Sequence, residues 1–228
     1  MGGDRIAENL AAVRERIARA AERVGRDPGS VGLVAVTKGV PPERVRRAVE
    51  AGATDLGENY VQELRAKRAA VPGARWHFIG TLQSHTAHRV AELADVVQTL
   101  AGERATERLA RRAAGAGRRL SALIEVDLAE GRAGVPPEAL ETFADRAVRL
   151  EGIEVVGLMT IPPIPASPED ARPFFRRLRE LRDRLRERHP RIAELSMGMS
   201  LDYEVAVEEG ATMVRVGTAL FGPRPPEA

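Results

Sequence analysis

The chain has 228 residues, of which 43% are apolar and 30% are charged, and its formal net charge at pH 7 is +2. This size and apolar content suit one large domain with a substantial core, over residues 1–228. The near balance of charges gives no reason to expect nucleic-acid binding, and the lack of cysteine excludes disulfides, thiolate nucleophiles and cysteine-bound metals.

The N-terminal stretch predicts an amphipathic helix rather than a signal peptide. The helix is expected from Asp4 to Val24, with Asp4 as N-cap and Gly25 as C-cap. Apolar residues recur on one face, at Ile6, Leu10, Val13, Ile17 and Val24. No apolar run approaches the ~18 residues of a membrane span, so we expect a cytoplasmic protein without membrane contact.

Eight short apolar runs with strand character follow this helix, and a charged helical segment separates each from the next. The runs are residues 31–37, 53–57, 75–79, 95–98, 119–127, 153–158, 192–195 and 211–216. This alternation is typical of a parallel sheet covered by helices on its faces. The absence of a linker favours a single closed (β/α)8 TIM-type barrel with an extra N-terminal helix, and an open doubly wound sheet is the alternative.

The longest predicted helix runs from Pro168 to Arg188, and its surface is rich in arginine. Its predicted buried stripe consists of Phe174, Leu178, Leu181 and Leu185. We interpret the arginines as the solvated outer face of a barrel helix, in preference to a patch that binds an anionic partner.

Lysine is rare in this chain, which has two lysines against 33 arginines. Lys67 lies in a charged helical segment, where one more cation has no evident significance. Lys38 ends the apolar run of the first strand, at the edge where barrels carry their active sites. A desolvated lysine can lose its proton and attack a carbonyl, whereas arginine stays protonated. Lys38 is therefore a candidate Schiff-base former, and an accidental strand-end lysine is the alternative.

Small and hydroxyl residues follow the last two strands. Ser200 lies after the seventh strand, and Gly217 and Thr218 come after the eighth. Barrels often bind phosphate with these two loops, because small residues expose backbone N–H groups and hydroxyls add donors. Helix N-caps have the same composition, so each turn alone is weak evidence. Both turns together, opposite a strand-end lysine, predict a phosphate site.

A lysine anchor and a phosphate site are what pyridoxal 5′-phosphate (PLP) requires. Arg215, at the end of the eighth strand, would then lie near the pyridine nitrogen of the cofactor. A cation there keeps that nitrogen unprotonated and weakens the cofactor as an electron sink. A phosphate contact or a structural ion pair is the alternative role for Arg215.

Several stretches of the chain resemble the pyridoxal phosphate homeostasis protein family. They appear in the order of the family and spread over nearly the whole length, as residues 33–38, 57–63, 76–80, 157–160, 195–200 and 213–222. The resemblance implies a fold-type III barrel similar to the N-terminal domain of alanine racemase. It also implies that PLP is held as an aldimine at Lys38.

The resemblance further implies roles for other residues in cofactor binding. Ser200, Gly217 and Thr218 would contact the phosphate, and Arg215 would face the pyridine nitrogen. The remaining pocket-lining residues implied by the family are Asn59, His77 and Met159. The chain departs from the family at His85 and Thr86, where an Asn-Lys pair is usual, and in residues 39–42.

Two functions of different class follow. The first, which we favour, is a carrier without catalytic activity that buffers intracellular PLP and delivers it to PLP-dependent apo-enzymes. The second is an amino-acid racemase, which needs an acid/base group on each face of the substrate carbon. Alanine racemase takes one such group from an additional β-domain, and the chain ends six residues after Gly222, so we expect neither that domain nor a racemase. Without it we also expect a monomer.

Other candidate sites are weaker. A sugar-phosphate barrel enzyme that uses Lys38 as its Schiff-base residue would have the same pattern without PLP. His85 and His88 share a helical face, but no third ligand stands at metal-binding spacing, so we expect no metal. Tyr60 follows the second strand, and helix packing is the favoured reading of it. The strand-end and loop carboxylates, for which capping or ion pairing is the ordinary role, are Glu125, Asp127 and Asp202.

Overall fold

Eight parallel strands form the sheet in a computed structural model that describes residues 5–129, 131 and 133–223. The predicted N-cap Asp4 lies outside these residues. The strands are β1 (Gly32–Val36), β2 (Asp55–Glu58), β3 (Arg75–Phe78), β4 (Val96–Leu100), β5 (Leu120–Glu125), β6 (Ile153–Met159), β7 (Glu194–Ser196) and β8 (Met213–Val216). Each lies within about two residues of a predicted run, because short β-rich runs between helices are bounded by their own turn residues.

The sheet closes on itself, with the strands arranged in chain order from β1 to β8. Val34 of β1 is in register with Asp55 of β2 on one side and with Arg215 of β8 on the other. This closure confirms the predicted (β/α)8 barrel and excludes the open sheet. The residues that follow β1 and β8 are thereby brought together at the C-terminal edge of the barrel.

Helices connect the strands on the outside of the barrel. They are α1 (Ile6–Arg23), α2 (Pro42–Glu50), α3 (Val61–Ala70), α4 (Ala87–Leu93), α5 (Glu103–Gly115), α6 (Leu140–Ala147), α7 (Arg172–Arg188), α8 (Tyr203–Glu208) and α9 (Thr218–Phe221). Short 3₁₀ turns, Pro137–Ala139 and Pro168–Ala171, precede α6 and α7. No helix in the described part of the chain combines the length and apolar character needed to cross a bilayer.

Helix α1 is the extra N-terminal helix, and it packs beside α8 and α9 near the seam between β8 and β1. Its predicted apolar face is buried from Ile6 to Ile17. The prediction was wrong for Val24, which lies just past the last helical residue and is 44% exposed. Gly25 follows with a φ of +70°, the left-handed conformation that ends helices and that glycine adopts without strain.

The buried stripe of α7 differs from the prediction at its first position. Phe175, rather than Phe174, is fully buried and continues into Leu178, Leu181 and Leu185. Ala171, in the preceding 3₁₀ turn, is also buried and lies four residues before Phe175 on the same side. The buried face of the 3₁₀ turn therefore continues into the start of α7. A single helical period of 3.6 residues, applied across both elements, does not predict which phenylalanine is buried.

Candidate functional site

A cavity of about 450 Å³ opens at the C-terminal edge of the barrel, over the seam between β1 and β8. Its walls come from the ends of these two strands and from the loops after β6, β7 and β8. The polar side chains that line it are Lys38, Arg44, Ser200, Asp202, Arg215 and Thr218. Apolar wall is provided by Val36, Val40, Ile164, Met199, Leu201 and Phe221. Cavities of this size and composition are typical of small-molecule sites.

Lys38 lines the cavity from the end of β1. The sheet pairing extends one residue beyond the strand, because the Thr37 N–H donates to the Gly57 carbonyl at 2.9 Å. The chain then turns at Gly39, whose φ is +70°. Lys38 is half-buried at this turn. It therefore occupies the strand-end position that the sequence predicts.

The loops after β7 and β8 meet at the other side of the cavity. Ser200, Gly217 and Thr218 all line it, as predicted for a phosphate site. The Ala219 N–H donates to Ser200 Oγ at 3.3 Å and so ties the two loops together. Gly198 fixes the first loop, because its φ is +91° and a Cβ there would lie 2.5 Å from the Ala206 Cβ.

Arg215 reaches the cavity from the barrel interior and is almost completely buried. Its Nη1 donates to Ser196 Oγ at 2.7 Å, and its Nη2 donates to the Thr160 carbonyl at 2.9 Å. Burial lowers the pKa of Arg215 to about 10, partly opposed by the negative charges of Glu125 and Asp202. The guanidinium thus stays protonated at neutral pH and offers the cavity a fixed positive charge.

Two buried carboxyl groups lie near Arg215. Burial raises the pKa of Glu125 to about 7, against the opposing effect of the Arg215 charge. Burial also raises the pKa of Asp202, whose Oδ1 accepts from the Met199 N–H at 2.6 Å. Asp202 precedes α8 but makes no side-chain capping hydrogen bond to it; its carboxylate instead braces the loop after β7, and it also lies on the cavity wall.

A chain of hydrogen bonds runs from Arg215 across the barrel interior. Ser196 Oγ donates to Gln98 Oε1 at 2.7 Å, and Gln98 Nε2 lies 2.8 Å from His77 Nδ1. His77 Nε2 contacts Asp55 Oδ1 at 2.9 Å, at the start of β2. His77 is fully buried and does not line the cavity, because it is enclosed by Gln98 and Asp55 further down the barrel.

Asn59 and Met159 also lie away from the lining of this cavity. Met159 packs with Val96 and Leu123 inside the barrel and is fully buried. Asn59 is half-buried after β2, where its carbonyl lies against Gly80. The structure thus brings together five of the eight predicted site residues at one cavity, and cofactor contacts by all eight stay predictions.

The interpretation of Lys67 as one more cation without evident significance was wrong. Lys67 is buried on the inner side of α3, and its Nζ donates at 2.6 Å to the Thr37 carbonyl, Glu58 Oε1 and Glu63 Oε2. Lys67 belongs to a charged helical segment, and hydrophobic periodicity does not show which charged side chain of such a segment is buried. The i,i+4 spacing of Glu63 and Lys67 was the signal available in the sequence.

The sequence analysis also missed two residues of the hydrogen-bonded series that runs from Arg215 to Asp55. Gln98 and Ser196 are buried polar residues within strands, and a polar residue inside a short strand was the available signal. Tyr60 is 60% exposed rather than packed under a helix. Within the described ranges, no three His, Cys, Asp or Glu side chains are arranged to hold a metal ion, and His85 is exposed.

Comparison with protein families identifies the class of this barrel. The model of the alanine racemase N-terminal domain matches residues 8–225. The solved alanine racemase of Clostridium difficile is 18% identical and superimposes with a TM-score of 0.77, over 99% of this chain and 58% of the racemase. At that identity the likeness shows the fold alone.

Closer relatives define the family. The pyridoxal phosphate homeostasis protein of Aquifex aeolicus is 43% identical, over 95% of this chain and 97% of the relative. The protein of the same name from Pseudomonas aeruginosa is 40% identical, over 96% of each chain. PipY of Synechococcus elongatus, solved with PLP bound, is 37% identical with a TM-score of 0.85, over 95% of this chain and all of PipY. The chain belongs to the pyridoxal phosphate homeostasis protein family.

Proposed function

We propose that this protein binds PLP in the cavity over the β1–β8 seam and serves intracellular PLP homeostasis as a carrier. The observation that carries the proposal is one cavity lined by Lys38 on one side and by Ser200, Gly217 and Thr218 on the other. The family relationship supports it, because the relatives are named for pyridoxal phosphate and PipY has been solved with PLP bound.

The cavity suits the chemistry of this cofactor. Hydroxyls of Ser200 and Thr218, with the backbone at Gly217, provide donors for a phosphate group. Lys38 provides the amine that can replace the aldehyde oxygen of the cofactor, with a carbon–nitrogen double bond formed and one water released. Apolar walls on both sides suit an aromatic ring. PLP would supply the aldehyde carbonyl for this reaction and a ring that can accept electrons.

Arg215 suits a site that binds the cofactor without using it for catalysis. A guanidinium carries five N–H donors and no acceptor, and the hydrogen bonds of Arg215 to Ser196 and Thr160 engage one donor on each terminal nitrogen. A ring nitrogen beside it can therefore accept a hydrogen bond but gains no proton from it. An unprotonated ring is a weak electron sink, which disfavours the carbanion chemistry of racemases.

The candidate acid/base groups for racemisation also lie outside the cavity lining. Tyr60 is exposed to solvent, and His77 is enclosed in the barrel interior. The likeness to alanine racemase at 18% identity concerns the fold, whereas the relatives at 40% identity and above are named as homeostasis proteins. The names of these relatives also favour PLP over a sugar phosphate. We further propose that the chain is a single cytoplasmic domain, acts as a monomer and delivers PLP to apo-enzymes.

The test is a titration of the purified protein with PLP, followed in the visible spectrum, then borohydride reduction and peptide mass analysis. We expect a yellow band and one reduced adduct, on Lys38. Lys38→Arg is the matched control, because it keeps the charge but removes the reactive amine. An unlabelled Lys38, or a colourless protein, contradicts the proposal.

The carrier role needs its own measurement. PLP-loaded protein is mixed with a PLP-dependent apo-enzyme, and recovery of the enzyme's activity is followed beside free PLP at the same concentration. We expect activity to return as the visible band declines. Rapid racemisation of an amino acid by the loaded protein would support the alternative, and light scattering on a sizing column tests the monomer.

A further inference from the structure

The two lysines of the chain meet at one turn. Lys67 is buried in α3, and its ammonium donates to three oxygens, each at 2.6 Å: the Thr37 carbonyl, Glu58 Oε1 and Glu63 Oε2. The Thr37 carbonyl belongs to the peptide bond that enters Lys38. A buried cation with two carboxylates thus lies directly behind the residue that lines the cavity.

The chemistry of this position explains the choice of lysine. An ammonium group has three N–H donors that point in three directions, and the structure supplies three acceptors around it. A guanidinium is planar and longer, so it cannot place three donors on these oxygens from the same backbone. The chain has 33 arginines, yet it has lysine at position 67 because only an ammonium group can donate to all three of these oxygens.

The same cluster also holds the chain after Lys38. Glu63 Oε2, which accepts from Lys67, accepts from the Gly39 N–H at 2.8 Å as well. Thr37 Oγ1 donates to Glu58 Oε1 at 2.6 Å. The peptide groups on both sides of Lys38 are thus fastened to α3 and β2, and the direction of the Lys38 side chain depends on these contacts.

We propose that Lys67, with Glu63 and Glu58, is a positioning group that aims the Lys38 amine into the cavity and sets the pH range in which that amine reacts with PLP. The proposal rests on the proposed function, because it concerns how Lys38 meets the cofactor. Glu58 Oε2 is buried without a hydrogen-bond partner among the described residues, so Lys67 is the group that offsets its charge.

Charged groups that face the Lys38 turn or share its cavity come from several elements of the described structure. Lys67 and Glu63 belong to α3, and Glu58 ends β2. The cavity wall adds Arg44 from α2, Arg215 from β8 and Asp202 from the loop after β7. Removing Lys67 takes a positive charge away from behind the turn, which favours the protonated, unreactive form of the Lys38 amine. Removing the charge of Glu63 has the opposite effect.

The test measures the rate and affinity of PLP binding, from the visible band, as a function of pH. For Lys67→Met we expect affinity about tenfold weaker and the half-maximal rate about one pH unit higher than in the unaltered protein. Glu63→Gln, a milder change that keeps the side-chain shape, shifts the half-maximal pH downward. Lys67→Arg keeps the charge but not the geometry, so we expect it not to restore affinity.

Arg68→Met is the matched control, because Arg68 is the next residue of α3 and pairs with Asp95 instead. We expect its affinity and pH profile to stay within twofold and about 0.2 pH unit of the unaltered protein. Thermal melts of each variant establish the folded fraction, and Glu63→Gln provides the readout if Lys67→Met does not fold.

The outcomes separate the two proposals. Equal pH profiles for Lys67→Met, Glu63→Gln and the unaltered protein overturn the positioning role, while the PLP band and the Lys38 adduct remain. Absence of the band in the unaltered protein overturns the proposed function itself. Shifts of opposite sign in Lys67→Met and Glu63→Gln support the positioning role, because a general loss of stability moves both variants in the same direction.

Discussion

Gln98 determines which nitrogen of His77 carries the proton. Arg215 can only donate to Ser196 Oγ, so the single proton of Ser196 goes to Gln98 Oε1. Gln98 Nε2 must then donate to His77 Nδ1, and His77 Nε2–H donates to Asp55. The donor and the acceptor of every hydrogen bond from Arg215 to Asp55 are thus determined. The Arg215 cation at the cavity end imposes this order, because it can only donate.

Replacing Gln98 by glutamate should raise the pKa of His77. Burial now holds that pKa below its ordinary value, against the opposing effect of Asp55. A second carboxylate beside the ring favours the protonated form, and we expect a rise of one pH unit or more. NMR titration of the ring protons measures it, with Gln62→Glu on the exposed side of α3 as control. An unchanged titration would show that Gln98 does not govern the ring.

Ser196→Ala should destabilise the protein by about 2 kcal/mol, because it leaves Arg215 Nη1 and Gln98 Oε1 without their shared partner inside the barrel. Urea unfolding of the cofactor-free protein measures the change. Ser121→Ala is the control, because the Ser121 hydroxyl is half-buried and accepts a long hydrogen bond, at 3.5 Å, from Arg75. Equal losses of unfolding free energy in both variants would argue against a special role for the hydrogen bonds through the barrel interior.

Glu125 should make stability depend on pH. Its pKa is raised to about 7 in the folded protein from an ordinary value of 4.5, so the folded state holds its proton more tightly than the unfolded chain. The stability that Glu125 contributes is complete below pH 4.5 and is lost as pH rises through about 7. The loss amounts to about 3 kcal/mol.

Glu125→Gln isolates this effect, because the amide stays neutral at every pH. The free energy of unfolding of the unaltered protein, minus that of the variant, should fall by about 3 kcal/mol between pH 4 and pH 8. Denaturant unfolding across this range measures the difference, with Glu138→Gln at an exposed position as control. A difference that does not vary with pH would place the carboxyl group in a more solvated setting.

Gly80→Ala should disrupt the edge of the barrel near Asn59. A Cβ at Gly80 would lie 2.0 Å from the Asn59 carbonyl oxygen, and backbone cannot give way cheaply. We expect a loss of about 3 kcal/mol in the free energy of unfolding. Gly102→Ala is the control, since a Cβ there meets no atom within 4 Å. A stable Gly80→Ala variant would mean that the β2 end moves freely.

The architecture was predictable because each strand and helix carries its own local signal. Alternating runs and turn residues gave all eight strands, and closure followed from their number. Lys38, Ser200 and Thr218 were predictable for a related reason, since they follow strands and strand ends share one edge. The family resemblance then supplied a ligand that these positions alone left open.

Side-chain direction inside the barrel was not predictable in the same way. Lys67 and Arg68 are neighbours in one charged helix, yet Lys67 is buried and Arg68 is half-buried. His77 is inward-facing, but its depth below the cavity depends on the tilt and register of β3 against β2. Such depth is a property of the closed barrel, because it depends on contacts between residues far apart in the chain.

The position of the cavity over the β1–β8 seam has a consequence for biogenesis. Lys38 leaves the ribosome well before Arg215, so the complete site cannot form until β8 has been synthesised. The cofactor can therefore engage only a finished ring, and its binding would hold the first and last strands together. Loading with PLP would then act as a late quality check, because chains that fail to close retain no cofactor.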